Sequence, residues 1–228
     1  MTPPPLPSKR PLLKLLLLGF AIAAAIVVTL LLLAVPAVKK ALQRARTTEE
    51  VANIRSTKLC LDSFAMDNDG VYPSDDTADF YEMKKHTSSN DLLRQLFASG
   101  NLNSEKIFWS ADSPVCSSKR PDDRTTTRGK FDASQTLQPG DNHWAYFTDL
   151  TNADDPLRPI MIEPCIPGTT RFPDDKVIVL RIDGSAKPER PSPAGLILDG
   201  DGKNLLTTDS KTWIDAKPDL RQPDPAAP

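Results

Sequence analysis

The sequence lacks the short motifs that mark most catalytic and metal sites. It contains no Gly-x-Ser-x-Gly, no phosphate-binding glycine loop, no Cys-x-x-Cys and no His-Glu-x-x-His. Its two histidines, His86 and His143, lie far apart and fit no metal-ligand spacing, so we interpret each as a surface or strand residue. Ser, Asp and His side chains that are distant in sequence can still meet in a fold, but these absences predict that the protein is not an enzyme.

The sequence also has no large excess of positive or negative charge. The 28 lysines and arginines nearly balance the 30 aspartates and glutamates, and the net charge is −2. This balance gives no indication of a nucleic-acid partner. Proline, by contrast, is abundant, because its 22 residues are about twice the usual share of about 5%. The prolines spread through the second half of the chain predict a loop-rich domain with short strands.

Acidic residues are absent before Glu49, and the longest uncharged run lies in this region. Residues 15–38 contain no charged side chain over 24 positions. As a helix this run would be about 36 Å long, enough to cross a hydrocarbon core of about 30 Å. The apolar part of a cleaved secretory signal has only about 7–15 residues, so a retained transmembrane helix is favoured. The proline-rich leader, residues 1–14, is predicted to be disordered, and basic residues on both sides of the run leave its orientation open.

The apolar run continues into an amphipathic segment, residues 39–69. The positions near heptad spacing on one face are Val51, Ile54, Lys58, Leu61 and Ala65. One helix from about Leu12 to about Met66 is therefore predicted. The sequence Thr47–Glu50 fits a capping box, which leaves a break at this point open.

The segment that follows, residues 67–70 (DNDG), has the side chains of a calcium loop and the glycine of a helix end. An EF-hand loop counted from its first aspartate would need an oxygen ligand at the fifth position and glutamate at the twelfth, where this chain has Val71 and Ala78. Gly70 suits the left-handed residue that ends a helix, and Pro73 prevents the helix from resuming. The helix-end interpretation is therefore favoured.

Residues 70–215 are predicted to form a loop-rich α+β domain. A short helix is expected over Ser89–Gly100, between an N-cap and a terminating glycine. The strand candidates are Lys106–Ser110, His143–Leu150, Pro159–Pro164, Lys176–Gly184 and Gly195–Gly200. Turn residues at 184–185 and 200–202 favour hairpins, and therefore a small antiparallel sheet. The proline- and aspartate-rich tail, residues 216–228, is predicted to be disordered.

Three cysteines, Cys60, Cys116 and Cys165, allow three pairings. Cys60 lies in the predicted helix, where a free cysteine behaves as a small apolar core residue. Cys116 and Cys165 lie in loop-like sequence, so we predict a disulfide between them if this domain lies outside the cytoplasmic membrane.

Residues 30–73, "LLLLAVPAVKKALQRARTTEEVANIRSTKLCLDSFAMDNDGVYP", resemble the N-terminal region of type IV pilin-like proteins. The most similar members are the major pseudopilins of type II secretion. Pro36, Asn53 and Phe64–Pro73 fill the places of the family's helix proline, its midway asparagine and its helix-end motif. The later runs "IFWSADSP" and "VIVLRIDGSAKPE" are similar to the short strands of pilin domains. The resemblance implies a long N-terminal transmembrane helix that packs on a small antiparallel sheet.

The resemblance also implies a location and partners. The protein would be a single-pass protein of the bacterial inner (cytoplasmic) membrane, with its C-terminal domain on the periplasmic side. Its partners would be the membrane and other pilin-like subunits, contacted through the N-terminal helix. The implied function is that of a non-enzymatic structural subunit or accessory of a type II secretion or type IV pilus-like assembly.

A calcium site is a further implication of the resemblance, because some major pseudopilins bind calcium in a C-terminal loop. The segment "LDGDGKN", residues 198–204, offers Asp199 and Asp201 as ligands, and oxygen-rich turns suit this cation. The same residues suit an ordinary hairpin turn, and this alternative stays open. No other cofactor is expected.

The chain departs from the family at the processing site. Family members are cut after a glycine and before an aromatic residue, and they have glutamate at the fifth mature position. Gly19 and Phe20 imitate the cut, but Ala24 then stands at the glutamate position. If the chain is aligned on Pro36 instead, Lys14 and Gly19 stand at the glycine and glutamate positions. This departure supports an alternative function, an uncleaved, anchored extracytoplasmic binding domain that does not polymerise.

Overall fold

The computed structural model describes residues 10–83, 87–127, 129–173 and 175–227. It divides into two compact units, Met1–Thr48 and Glu49–Pro228, and we call the second unit the head. The helices are α1 (Arg10–Asp67), α2 (Asp75–Ala78), α3 (Ser89–Leu93) and α4 (Gln95–Ala98), with 3-10 helices at Asp79–Tyr81, Glu105–Ile107 and Lys211–Trp213. The strands are β1 (Thr126–Thr127), β2 (Lys130–Phe131), β3 (Ala145–Phe147), β4 (Pro159–Ile162), β5 (Val177–Arg181), β6 (Ala186–Glu189) and β7 (Leu220–Arg221).

Five of the strands form one antiparallel sheet, in the order β6-β5-β4-β3-β7. Strands β3 and β4 are buried along their whole length, and β5 is buried up to Leu180, as expected for runs of β-branched and aromatic residues in a sheet interior. The register places Ile162 opposite both Ala145 and Val179. The structure therefore has the predicted α+β class with an antiparallel sheet.

The last turns of α1 supply part of the apolar core of the head. Ile54, Leu61, Phe64 and Ala65 are fully buried in the same cluster of side chains as the central strands. Burial of a large apolar side chain stabilises a fold by about 1.5–3 kcal/mol. The predicted apolar stripe is confirmed at Ile54, Leu61 and Ala65, and Phe64 adds a buried position that the stripe did not include.

Lys58 is a charged residue on this buried face, and its ammonium group has partners inside the head. It forms an ion pair with the Asp62 carboxylate one turn later and lies 3.2 Å from the Tyr72 hydroxyl. The Tyr72 hydroxyl in turn donates a hydrogen bond of 2.9 Å to Asp62. Because each of these polar groups has a partner, the helix can bury a lysine on its core-facing side.

The end of α1 follows the sequence-based interpretation. The last helical residue is Asp67, and Gly70 has a left-handed φ of +85°. The Gly70 N–H donates to the Ala65 carbonyl at 2.8 Å, and the Asn68 amide donates to the Phe64 carbonyl at 2.8 Å. These bonds satisfy carbonyls that the helix leaves without helical partners, so the helix-end interpretation is confirmed.

The first unit contains the earlier part of α1. The hydroxyls of Thr47 and Thr48 donate to the carbonyls of Gln43 and Arg44, which lie one helical turn before them. Both threonines therefore bond as residues inside a helix do. The capping box that would have marked a break in the helix at Thr47–Glu50 is not formed, and α1 continues through these residues.

No helix among the described residues is long and apolar enough to cross a membrane. For the transmembrane span predicted over residues 15–38, the structure does not describe most of the side chains. The predicted leader, residues 1–14, lies outside it up to residue 9. The membrane span therefore stays a prediction.

Three of the five strand candidates are confirmed. Strands β3, β4 and β5 lie within the ranges predicted for them, and β5 turns back into β6 through Gly184, as the turn residues indicated. The helix expected over Ser89–Gly100 is present as two short helices, α3 and α4, which meet at Arg94.

Two strand candidates are wrong. Lys106–Ser110 begins in the 3-10 helix Glu105–Ile107, which a bond of 3.0 Å from the Phe108 N–H to the Glu105 carbonyl closes. Gly195–Gly200 contains a single bridge residue, Leu198, which pairs with Asn204. Short apolar runs do not by themselves distinguish strands from turns that bury the same side chains.

The tail predicted to be disordered, residues 216–228, is instead part of the head up to residue 227. Leu220–Arg221 forms β7 beside β3 at the edge of the sheet. The Gly140 N–H donates to the Asp224 carbonyl at 2.9 Å, and the Ser88 hydroxyl donates to the Asp224 carboxylate at 2.7 Å. These partners are distant in sequence, so the local composition of the tail does not indicate them.

We expect Leu61→Ala to lower the free energy of unfolding of the head by about 2–5 kcal/mol, because it leaves a cavity in a fully buried position. Leu59→Ala is the matched control, since Leu59 lies on the same helix and is 72% exposed. Its effect should stay within about 0.5 kcal/mol. Denaturant unfolding of the full chain in a mild detergent measures both values, and equal effects would contradict the buried position of Leu61.

Candidate functional site

A charged groove of about 620 Å³ lies beside the hairpin of β5 and β6. Its other walls are the loop at residues 155–157 and the segment 199–212. The carboxylates that line it are Asp155, Asp183, Glu189, Asp199 and Asp201. The groove therefore brings together acidic groups from three separate parts of the chain, including both residues predicted as calcium ligands.

Three basic side chains also line the groove, and two of them are paired. Arg181 forms an ion pair of 2.6 Å with Glu189, and Lys211 forms one of 2.9 Å with Asp201. Lys187 is the third. With five acidic and three basic groups, the lining has an excess of two negative charges. Such a mixed surface can bind polar or cationic groups through charge and hydrogen bonds.

Asp199 organises the turn that forms one wall of the groove. One of its carboxylate oxygens accepts the N–H groups of Asp201 and Lys203, each at 2.9 Å. Partial burial raises the pKa of Asp199, but hydrogen bonds from Ser210 and from these two N–H groups outweigh it and hold the pKa below its ordinary value. This is the bonding of an aspartate that stabilises a hairpin turn.

The predicted calcium ligands have protein partners in this structure. Asp199 accepts main-chain donors, and Asp201 pairs with the Lys211 ammonium group. In the part of the chain that the structure describes, no group of three or more His, Cys, Asp or Glu side chains is arranged to hold a metal ion. The calcium site stays a prediction, and the geometry favours the hairpin-turn alternative.

Arg158 supports the same region from inside the head. Its guanidinium group is 1% exposed and donates 2.7 Å bonds to the Asp154 carboxylate and to the Thr212 carbonyl. It also pairs with Asp215 and lies 5.0 Å from the centre of the Trp213 ring. These contacts join the loop before β4 to the 3-10 helix at the groove wall. Loss of such a buried cation would leave its carboxylate partners without compensation.

His143 is buried two residues before β3, so of the two sequence-based interpretations, surface residue or strand residue, the surface one is wrong. Its Nδ1 atom lies 2.8 Å from the Ser113 hydroxyl, and its ring meets that of Trp144 edge-on at 4.7 Å. Burial lowers the pKa of His143 to about 4, so the ring is neutral at neutral pH. His86 lies outside the described residues.

The contact between Ser113 and His143 does not have the features of an activated nucleophile. In the described part of the chain, no carboxylate bonds to the His143 ring to orient it. Cys116 also hydrogen-bonds to Ser113, and burial raises the pKa of its thiol, which disfavours the reactive thiolate. The arrangement satisfies a buried histidine and offers little nucleophilic chemistry.

Cys116 and Cys165 have different hydrogen-bond partners. Both are free thiols, as is Cys60, and the predicted disulfide is not formed here. Cys116 bonds to Ser113, whereas Cys165 bonds to Gln222. Burial raises the pKa of Cys165 to about 12. The assignment of both residues to loop-like sequence did not reveal these separate partners.

Several groove residues were missed by sequence reasoning. Asp155, Lys187 and Lys211 lie in three segments that only the fold brings together. The turn at 184–185 was the one available signal, because a hairpin there places Arg181 and Glu189 on neighbouring strands. The burial of Arg158 could not be predicted from the sequence, because a single arginine in a loop is usually a surface residue.

Comparison of the chain with protein-family models, with curated proteins and with solved structures found no match.

We expect calcium to leave the thermal unfolding temperature of the protein unchanged, because donors from the protein already occupy the carboxylates of Asp199 and Asp201. Differential scanning calorimetry with and without calcium measures this, and magnesium serves as the control ion. A rise of several degrees with calcium that Asp199→Asn and Asp201→Asn each abolish would instead establish the calcium site.

Proposed function

We propose that the protein is a non-enzymatic, pilin-like membrane protein that serves as a structural subunit or accessory of a type II secretion or type IV pilus-like assembly. The observation that carries the proposal is the role of α1. Its C-terminal turns contribute Ile54, Leu61 and Phe64 to the core of an antiparallel-sheet head, and its N-terminal part contains the uncharged run 15–38. The chain therefore has the two parts that an anchored pilin-like subunit needs, an apolar run and a folded head.

The residues that carry the resemblance have structural roles at the helix end, which supports the proposal. Tyr72 is fully buried and its hydroxyl donates to Asp62 on α1. The Pro73 carbonyl accepts the Tyr146 hydroxyl of β3 at 2.9 Å. The helix-end motif therefore ties α1 to the first strand of the sheet through buried hydrogen bonds.

The proposed assembly uses helix–helix packing. In this proposal the run 15–38 lies in the bacterial inner membrane, and the head lies on the periplasmic side. Within the head, Leu59 and Met66 are seven residues apart on α1 and are exposed by 72% and 81%. Residues at this spacing share one face of a helix, so they offer an apolar contact for a neighbouring subunit.

A second candidate function is an uncleaved, single-pass anchored binding domain that does not polymerise. The charged groove of about 620 Å³ favours it, because a purely structural subunit has no need of such a concave surface. The absence of any acidic residue before Glu49 favours it too, since the family's filament glutamate is missing. In this candidate the N-terminal helix is an anchor alone.

We expect Leu31→Glu or Leu32→Glu to abolish co-purification with other pilin-like subunits from native membranes in a mild detergent. A carboxylate near the middle of a membrane span costs about 2.5–3.5 kcal/mol and disrupts packing between apolar helices. Leu31→Ile is the matched control and should keep the partners. Membrane fractionation of each variant shows that the protein is still inserted, and undiminished co-purification of an inserted Glu variant would contradict the proposal.

The intact mass of the protein from native membranes distinguishes the two candidates. A mass that lacks the residues up to Lys14 or Gly19 shows processing of the kind that polymerising subunits undergo. A full-length mass favours the anchored binding domain. In that second case, residues 39–228 expressed alone should still retain a partner of the head.

A further inference from the structure

Three cations directly follow the uncharged run of α1. Residues 15–38 carry no charge, and Lys39, Lys40 and Arg44 are the first charged side chains after them. All three side chains are exposed in this structure. If the run crosses a membrane, as in the function proposed above, these cations lie where the apolar interior of the bilayer ends.

The spacing of these cations along the helix matches the headgroup layer of a bilayer. The segment from Lys39 to Arg44 covers about 8 Å of a helix that rises about 1.5 Å per residue. A bilayer about 40–45 Å thick has a hydrocarbon core of about 30 Å, so its headgroup layer is about 5–8 Å deep on each side. The cations therefore cover the depth at which lipid phosphate groups lie beside an upright helix.

No acidic side chain among the described residues compensates these three cations. The chain has no aspartate or glutamate before Glu49, and the Glu49 carboxylate pairs with Arg120. Within the described ranges, no ion pair includes Lys39, Lys40 or Arg44. Lys40 and Arg44 are four residues apart and share one side of the helix, where like charges repel and destabilise it. An anion bound between them would relieve this repulsion.

The opposite side of the same segment is apolar. Val35, Val38 and Leu42 follow each other at spacings of three and four residues and are exposed by 51%, 64% and 51%. A helix of about 3.6 residues per turn places these three on one side, and Lys40 and Arg44 on the other. In a membrane, such a segment keeps its apolar side chains at the acyl chains while its long basic side chains extend to the headgroups.

We propose that Lys39, Lys40 and Arg44 form a binding site for the phosphate groups of anionic lipids at the membrane surface. The site rests on the membrane location proposed above, and it adds the class of lipid that this part of α1 prefers. A lysine attracts phosphate oxygens as a point charge, and the planar guanidinium group of Arg44 can bind two of them at once. Anionic lipids are preferred because the choline group of a zwitterionic lipid brings a positive charge beside the phosphate.

Native mass spectrometry of the full chain, purified in a non-ionic detergent, tests the site. Phosphatidylglycerol and phosphatidylcholine are titrated separately, and the spectra count the lipids bound to each protein. We expect phosphatidylglycerol to bind more tightly. Each of Lys39→Gln, Lys40→Gln and Arg44→Gln should weaken its binding about fivefold, the contribution of one cation at an anionic surface. The triple variant should bind both lipids equally.

A second triple variant, Lys119→Gln with Lys130→Gln and Lys176→Gln, is the matched control. It removes the same charge from three exposed positions of the head, and it should keep the preference for phosphatidylglycerol. An equal loss in this control would show that net charge alone attracts the lipid, which overturns the site. Inorganic phosphate is also added, and its complete displacement of the lipid would identify a site for a free anion, contrary to the proposal.

Membrane insertion and lipid preference are measured separately, so the proposed location and the lipid site give distinguishable failures. Alkaline extraction of native membranes reports insertion, and release of the wild type would contradict the location and the lipid site together. An inserted wild type that binds the two lipids equally would overturn the lipid site alone. A first triple variant that loses self-association in the same spectra, but keeps its lipid preference, would assign the cations to a second copy of the chain and overturn the lipid site.

Discussion

The packing of the last turns of α1 against the central strands is the contact on which the core of the head depends. Ile54, Leu61 and Phe64 lie in the same apolar core as the central strands, so the helix covers apolar side chains of the sheet. The same contact carries Lys58 into the interior, where Tyr72 and its partners compensate the charge.

Among the described residues of the head, the buried side chains of Lys58, Arg158 and Glu105 differ in the partners of their ionisable groups. Lys58 and Arg158 each form an ion pair with an aspartate carboxylate. Glu105 instead accepts a hydrogen bond from the Leu137 N–H, and burial raises its pKa to about 7. The head therefore combines buried ion pairs at α1 and beside the groove with one buried carboxyl group whose partner is a main-chain donor.

Periodic and apolar patterns in the sequence predicted the helix and strands whose formation depends mainly on neighbouring residues. The apolar periodicity before Asp67 indicated the buried face of α1, and runs of apolar residues indicated β4 and β5. Other features of the head depend on contacts between residues that are distant in sequence. The place of β7 depends on β3, and the burial of His143 depends on Ser113, which no nearby residue signals. The candidate groove was predictable only at its turn residues, because its walls come from separate segments.

The most direct test of the proposed function is the side of the membrane on which the head lies. Protease added to intact spheroplasts that contain an N-terminally tagged full chain reports this, with lysed spheroplasts as the control. If the head lies outside the cytoplasmic membrane, it is digested while a tagged, membrane-bound fragment that includes residues 15–38 survives. A head that resists digestion until lysis, or a full chain recovered in the soluble fraction, would contradict it.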